Sequence, residues 1–404
     1  MFLTEEENRR LTQVGASTPG GELLRRYWHP VAGLHQVTEE NPTTHIRLLG
    51  EDLVLFRDKS GRVGLLADHC PHRGASLLYG RVEERGIACA YHGWLYDTRG
   101  NCLETPAEPA DSKLYLTIKH RAYPVEKYLG LYWAYLGPGP TPLMRQLDVG
   151  VYPINGIREM AFAVSWVQIM ENHMDLTHGY ILHQDTGDTF GRKGPGVPNT
   201  TRGRIDSLEF IKYEELPFGL SRQAAPNDDE NGLLVFPNLL RRSNQVQIHV
   251  PIDDTHTRTF KLSFSRDRDG YDGDSDHEPV DYFILQPGEA KSGTGRYPDV
   301  RYRMDVLTGQ DVMAIETQGA VAPRPAWRLA TGDRGVELFD NILAREMDRV
   351  QEGLEPMAMV KDTHEVIDTD FEAYTQKQSS EGTGSQQYPR EGLQVYARAG
   401  AHRA

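Results

Sequence analysis

Two short segments constrain this 404-residue chain more than anything else in it, because each brings one cysteine together with one histidine. Cys70-Pro71-His72-Arg73-Gly74 comes first, and sixteen residues separate His72 from Cys89-Ala90-Tyr91-His92-Gly93-Trp94. The pattern puts two thiolates and two imidazoles on two loops. Thiolates suit zinc or sulfur-rich iron chemistry, and an imidazole that replaces a thiolate removes a negative charge and raises a cluster's reduction potential. Gly74, Gly86 and Gly93 near the loop ends are expected to let backbone N–H groups approach the sulfurs. A Cys₂His₂ zinc site is the plain alternative, but zinc motifs pair cysteine with cysteine and histidine with histidine, whereas here each half mixes them. Cys102 reads as an ordinary buried thiol and His69 as a spacer or surface residue.

The surrounding sequence, from about His29 to Gly137, has a β composition. Short apolar runs begin at Ile46, Leu53 and Val63, with turn residues Gly50-Glu51-Asp52 and Lys59-Ser60-Gly61 between them, and Leu131–Leu136 reads as a closing strand. Gly137-Pro138-Gly139-Pro140-Thr141-Pro142 is the sharpest break. Upstream, Thr4 ahead of three glutamates predicts a helix N-cap and a short helix to about Gln13. Downstream, residues 156–186 read as helical, interrupted at Gly179. Asp185 to Arg204 reads as a long loop, and Gly232–Phe236 and Val246–Val250 as strands. Apolar positions at Val336, Phe339, Leu343, Met347, Val350 and Leu354 predict a helix.

A second cluster lies in the helical stretch, Asn172-His173-Met174-Asp175-Leu176-Thr177-His178, followed by His183. On a helix Asn172, Asp175 and His178 share a face, whereas His183 lies about 140° round from His178, so the helix must end or distort between them, with Gly179 as the expected place. His173 points off that face. Two histidines and a carboxylate leaving open positions form the facial triad of non-haem Fe(II) oxygenases. Asp305, Asp311 and Glu316 are all candidates for the carboxylate.

With Pro71, Arg73-Gly74 and Gly93-Trp94 in place, the first segment resembles the Rieske domains of bacterial ring-hydroxylating oxygenases. That resemblance implies a [2Fe–2S] cluster held by Cys70, His72, Cys89 and His92. Gly309-Gln310-Asp311 through Glu316 resembles the family's late Asp-x4-Glu stretch, in which the Asp is the ligand, implying mononuclear Fe(II) on His178, His183 and Asp311. By the same resemblance Asp175 is catalytic, linking His178 to His92 of the next subunit, and Asn172 belongs to the same catalytic segment. The opening, Leu3-Thr4 to Glu6-Glu7-Asn8 and then Gly21 to Trp28, resembles the phthalate dioxygenase branch, which includes O-demethylases of methoxylated aromatic acids such as dehydrodivanillate. The implied fold is α+β: a Rieske β-domain of antiparallel sheets plus a helix-grip catalytic domain with an antiparallel sheet and helices. The implied assembly is a head-to-tail homotrimer. The expected divisions are a helical segment at 1–27, the Rieske domain at 28–140, the catalytic domain at 141–375 and a polar tail at 376–404.

The chain carries no Gly-x-Gly-x-x-Gly after a strand, so the expected electron source is a separate NAD(P)H-dependent reductase with flavin and a [2Fe–2S] centre. The expected activity is hydroxylation or O-demethylation of a carboxylated aromatic with O₂, or cis-dihydroxylation by the same iron. A pure electron-transfer protein would leave most of the chain unexplained. Arg192, Lys193, Arg202 and Arg204 could clamp a substrate carboxylate, or could be scattered charges on a solvated loop. A formal net charge of −14 argues against nucleic acid and anionic membranes as partners. A charged N-terminus, no long apolar run and only three cysteines predict a cytoplasmic protein.

Overall fold

The computed structural model describes residues 3–183, 200–201, 204–205, 211–224, 231–266, 281–285, 302–304, 307–362 and 365–371. The side chains of Arg192, Lys193, Arg202 and Arg204, the candidate Asp305 and the tail at 376–404 lie outside them.

Helix α1 (Glu5–Thr12) starts where Thr4 predicts it, in a reciprocal capping box: Glu7 N–H donates to Thr4 Oγ1 at 3.2 Å and Thr4 N–H to Glu7 Oε2 at 2.8 Å. A second short helix, α2 (Pro19–Leu24), leads into the β region. There three small antiparallel sheets form. One pairs Trp28–Gly33 with Leu131–Tyr135 and Val125–Tyr128, and a second orders Thr43–Leu48, Glu51–Arg57, Val63–Ala67 and Ala122–Tyr123. The third, Arg81–Glu83, Gly86–Ala88, Leu95–Tyr96 and Cys102–Glu104, has its own apolar core of Val54, Phe56, Leu66, Leu77, Ile87 and Tyr96, into which Cys70, Cys89 and Cys102 are packed.

Beyond residue 140 an eight-stranded sheet runs in the order 212–216, 219–223, 232–235, 239–242, 245–253, 256–264, 154–162, 281–285. It is antiparallel except at one edge, where Ile154–Phe162 pairs parallel with Asp281–Leu285. Ile154–Phe162 is thus a strand, not the start of the helix expected from 156. Its Arg-Glu-Met-Ala run favours helix in isolation, but ladder pairing with Thr257–Phe264 on one side and Asp281–Leu285 on the other prevails.

Helix α3 (Trp166–Met174) packs its buried Trp166, Val167, Met170 and Met174 between the sheet and the long helix α6 (Arg334–Gln351). The helix α6 carries the predicted apolar stripe as far as Val350, whereas Leu354 falls beyond its end and is exposed. A buried bidentate ion pair, Arg324 Nε and Nη2 to the Glu171 oxygens at 2.5 and 2.6 Å, ties α3 to the 324 turn, and Arg324 Nη1 donates to Asn8 of α1 at 3.0 Å. One hydrophobic core runs from Leu11, Val31 and Leu53 through Tyr132 and Trp166 to Phe260 and Phe339, so both halves of the chain brace α3. Among the described residues no helix is long and apolar enough to cross a membrane.

Candidate metal centres and substrate cleft

The two Cys/His loops repeat one piece of backbone geometry. In the first, Cys70 N–H donates to Ala75 O at 2.9 Å and Gly74 N–H to Cys70 O at 2.8 Å; in the second, Cys89 N–H donates to Trp94 O and Gly93 N–H to Cys89 O, both at 2.9 Å. Gly74 (φ +75°) and Gly93 (φ +73°) occupy the same left-handed position, which L side chains rarely adopt. Their own N–H groups donate to cysteine carbonyls, and the turn this permits lets the His72 backbone N–H approach the Cys70 sulfur, as the sequence reading expected. Gly86 serves a close strand approach, since a Cβ there would meet Tyr96 O at 1.9 Å.

The loops present their four side chains unequally. Cys70 and Cys89 are 2% and 3% exposed, while His72 and His92 sit at the rim with their ring centroids 4.5 Å apart. Trp94 stacks on His72 at 4.3 Å and an interplanar angle of 7°, which fixes that ring. Burial pushes the Cys70 thiol up and neighbouring Cys89 adds to this, while Tyr96 Oη, 3.2 Å from Cys70 Sγ, pulls the other way. Two buried thiols beside two converging imidazoles, with His72 Nδ1 buried and lacking a hydrogen-bond partner, fit a cluster with sulfur ligands inside and nitrogen ligands outside. Cys102 is buried nearby with its thiol 3.5 Å from Glu104 O, and His69 is exposed, with Nδ1 3.0 Å from Gly74 O.

In the second cluster the helix breaks at Asp175, not at Gly179. Asp175 (φ −84°, ψ 94°) closes α3 and caps α4 (Leu176–Ile181), its Oδ1 accepting from Thr177 N–H at 2.8 Å and His178 N–H at 3.3 Å. Asn172 and His178 therefore lie on different helices, yet Asn172 Nδ2 comes within 3.4 Å of His178 Nε2. His183 follows α4 and is buried. Helix α5 (Leu307–Glu316) brings Asp311 to both histidines, its Oδ1 3.0 Å from His183 Nε2 and 3.4 Å from His178 Nε2. Glu316, five residues on, is instead hydrogen-bonded by Tyr302 Oη at 3.2 Å.

One ligand atom from each of His178, His183 and Asp311 lies within 4.8 Å of the others. His183 Nδ1 lies 2.7 Å from Gln310 Oε1, whose amide donates to Met304 O at 2.8 Å; the ring is held through Nδ1 with Nε2 turned toward Asp311. Burial alone would lower His178, but Asp175 and Asp311 overcome it and push its pKa up to about 10. Burial would likewise raise Asp311, but His178 and His183 hold it far below the usual carboxylate range. One carboxylate thus meets two imidazole Nε2 atoms at one point, with a second carboxylate behind His178 at Nδ1, which is the donor chemistry of a divalent iron site.

A cleft opens on this triad. Its far wall is one face of the large sheet, with Gln247, His249, Thr259 and Lys261 alternating along two strands, joined by Arg222 and Arg242. His173 lines the same cleft, although it points off the face that sequence spacing defined. These wall residues were missed because Val246, Ile248 and Val250 mark a half-buried strand whose polar partners would face water. Both faces are in fact covered, one by core and one by the cleft.

A family model described as the Rieske [2Fe-2S] domain matches residues 27–128. The chain is 33% identical over 375 residues to the 5,5'-dehydrodivanillate O-demethylase oxygenase subunit of Sphingobium sp., covering 89% of this chain and 84% of that protein. It is 31% identical over 395 residues to the phthalate 4,5-dioxygenase oxygenase subunit of Pseudomonas putida, covering 87% and 88%. The fold is similar to the terminal oxygenase of carbazole 1,9a-dioxygenase from Nocardioides aromaticivorans, with a TM-score of 0.58 at 18% identity over 84% of this chain and 96% of that one. The likeness extends well past the Rieske segment to most of the chain, which sets aside both the zinc module and the pure electron-transfer protein. A Rieske [2Fe–2S] cluster and a mononuclear iron are the cofactors, and a separate electron-transfer partner supplies the electrons. The chain belongs to the Rieske non-haem iron oxygenases and is a terminal oxygenase of the branch that holds the phthalate dioxygenase and dehydrodivanillate O-demethylase subunits.

Proposed function

We propose that the protein hydroxylates or O-demethylates an aromatic carboxylate. The observation that carries this reading is that the His178–His183–Asp311 triad shares its cleft with three cationic side chains, Arg222, Arg242 and Lys261. In this reading the basic wall binds the substrate carboxylate and directs the ring toward the triad.

When bound, the cluster supplies single electrons and the mononuclear iron supplies the site of O₂ activation. Cys70, His72, Cys89 and His92 would hold the former, and His178, His183 and Asp311 the latter. Gln310 orients His183 through Nδ1, and Asp175, 3.5 Å from His178 Nδ1, orients and balances the charge of His178. Asn172, beside His178 Nε2, borders the open side of the triad. Met160, Phe162 and Ile169 supply apolar surface for the ring.

The functional division follows the expected one, Rieske domain at 28–140 and catalytic domain at 141–375, and the family match at 27–128 supports it. We assign an NAD(P)H-dependent flavin and [2Fe–2S] reductase as electron source and a homotrimer as the working assembly. Exposed Tyr91 (56%) and Tyr79 (76%) in the Rieske segment support an interface there. Three cysteines that form no disulfide, two of them assigned to the cluster, support a reducing compartment such as the cytoplasm.

The test is substrate-dependent O₂ uptake with a surrogate reductase across methoxylated and carboxylated aromatics, with formaldehyde as a second readout. Formaldehyde and a phenol mark O-demethylation. A cis-dihydrodiol marks the dihydroxylation that the phthalate-dioxygenase relative supports as second reading. Failure of every carboxylated aromatic to stimulate uptake overturns the substrate assignment.

A further inference from the structure

The cleft wall holds a hydrogen-bonded chain that neither metal binding nor carboxylate neutralisation uses. His173 Nε2 lies 2.8 Å from His249 Nε2, and His249 Nδ1 lies 2.8 Å from Thr259 Oγ1. His249 and Thr259 stand directly opposite each other on paired strands and are 2% and 1% exposed, while His173 reaches the chain from α3. All three border the cleft.

Burial pushes His249 down to about 3 and His173 well below its ordinary range, where His249, Arg222 and Arg242 depress it further. Both rings are therefore neutral, and a neutral imidazole has one donor nitrogen and one acceptor nitrogen. Only two arrangements satisfy the chain. In one, Thr259 donates to His249, His249 donates to His173, and His173 Nδ1–H faces outward as a donor. In the other, His173 donates to His249, His249 donates to Thr259, and Thr259 O–H becomes the outward donor while His173 Nδ1 accepts. Either way the two ends offer one donor and one acceptor, and neither end carries charge.

Such a pair is poorly matched to a carboxylate, which gains more from the neighbouring cations, and well matched to an oxygen that is polar but neutral. We propose that Thr259–His249–His173 is a binding subsite for an uncharged oxygen substituent, a hydroxyl or alkoxyl group on the ring of the substrate. The subsite rests on the aromatic-carboxylate reading only for the charge at the other end of the molecule. It sets specificity because an analogue without that oxygen leaves the ends of a buried polar chain unmatched.

The test is calorimetric titration of iron-loaded protein with benzoate, the hydroxybenzoates, the methoxybenzoates, phenol and anisole. It compares wild type with Thr259→Val, His249→Leu and His249→Gln. In wild type the best-placed hydroxy- or methoxybenzoate should bind about tenfold more tightly than benzoate, the gap expected of one or two well-made hydrogen bonds. Thr259→Val and His249→Leu should shrink that gap to about twofold or less, with benzoate affinity, iron content and cluster spectrum retained, and His249→Gln should restore part of it. Should His249→Leu fail to fold, Thr259→Val, which exchanges a hydroxyl for a methyl, decides alone. A gap that survives Thr259→Val, a wild type that binds no substituted benzoate better than benzoate, or an equal loss of benzoate binding in the variants each overturns the subsite. If phenol or anisole binds as tightly as its carboxylated counterpart and still depends on the chain, the subsite stands and the carboxylate reading falls.

Discussion

Asp175 performs two tasks with two oxygens, and they can be separated. Oδ1 caps α4 through the Thr177 and His178 amides, while Oδ2 faces His178 Nδ1 at 3.5 Å. Asparagine caps a helix about as well as aspartate, whereas alanine forfeits about 1 kcal/mol. Asp175→Ala should therefore lower the melting point by a few degrees at most, and Asp175→Asn by less. Both remove the negative charge beside His178. In metal-free protein His178 has its pKa pushed up to about 10, in part by Asp175, so either variant should shift its titration down toward the ordinary histidine range. The raised pKa also sets a direction for stability. His178 contributes fully below its unfolded value near 6.5, and the contribution is lost as pH rises toward 10; the variants should lose it at lower pH. The three metal ligands remain, so both variants should keep most iron at both centres and lose turnover. Measurements of iron per chain, cluster spectrum, thermal melting and O₂ uptake test this together. Turnover in Asp175→Asn near the wild-type rate would reduce Asp175 to a helix cap, and loss of the mononuclear iron would make its part structural.

The remaining predictions address the two centres separately. His178→Ala should lose the mononuclear iron while the Rieske spectrum persists, seen as a fall from about three irons per chain to about two; a lost spectrum would refute the division into two sites. Tyr96→Phe removes the hydroxyl 3.2 Å from Cys70 Sγ, a bond that strengthens as the cluster gains an electron. A difference of about 1–2 kcal/mol between redox states converts to a potential lower by about 45–90 mV, measurable by redox titration, and an unchanged potential would show that the bond does not discriminate between them.

The legibility of the sequence was uneven, for identifiable reasons. The two Cys/His loops and the sheets around them were readable because residue spacing, left-handed glycines and turn residues are local signals. Thr4 and the α6 stripe were local too. The stretch from 156 to 162 was misread because its helix-favouring residues are overruled by two neighbouring strands distant in sequence. The break at Asp175 was missed because the same residue that looked like one member of a helical face is the cap that ends the helix. Asp311 needed the resemblance, since Asp305 and Glu316 offered the same chemistry and only the turn of α5 separates Asp311 from Glu316.

That helix break is also what gives the cleft its two polar regions. Were α3 to run straight through Asp175, spacing alone would set Asn172 and His178 on one face and leave His173 off it. With the chain redirected at Asp175, His178 and His183 meet Asp311 from α4 and its end, while His173 remains on α3 and pairs with His249 of the sheet. The cations Arg222, Arg242 and Lys261 come from the sheet, as do His249 and Thr259, so charge and most of the neutral hydrogen bonding reach the cleft from one wall and metal ligation from the helices. Substitutions on the sheet wall can therefore alter which ring substituents are accepted without touching a metal ligand.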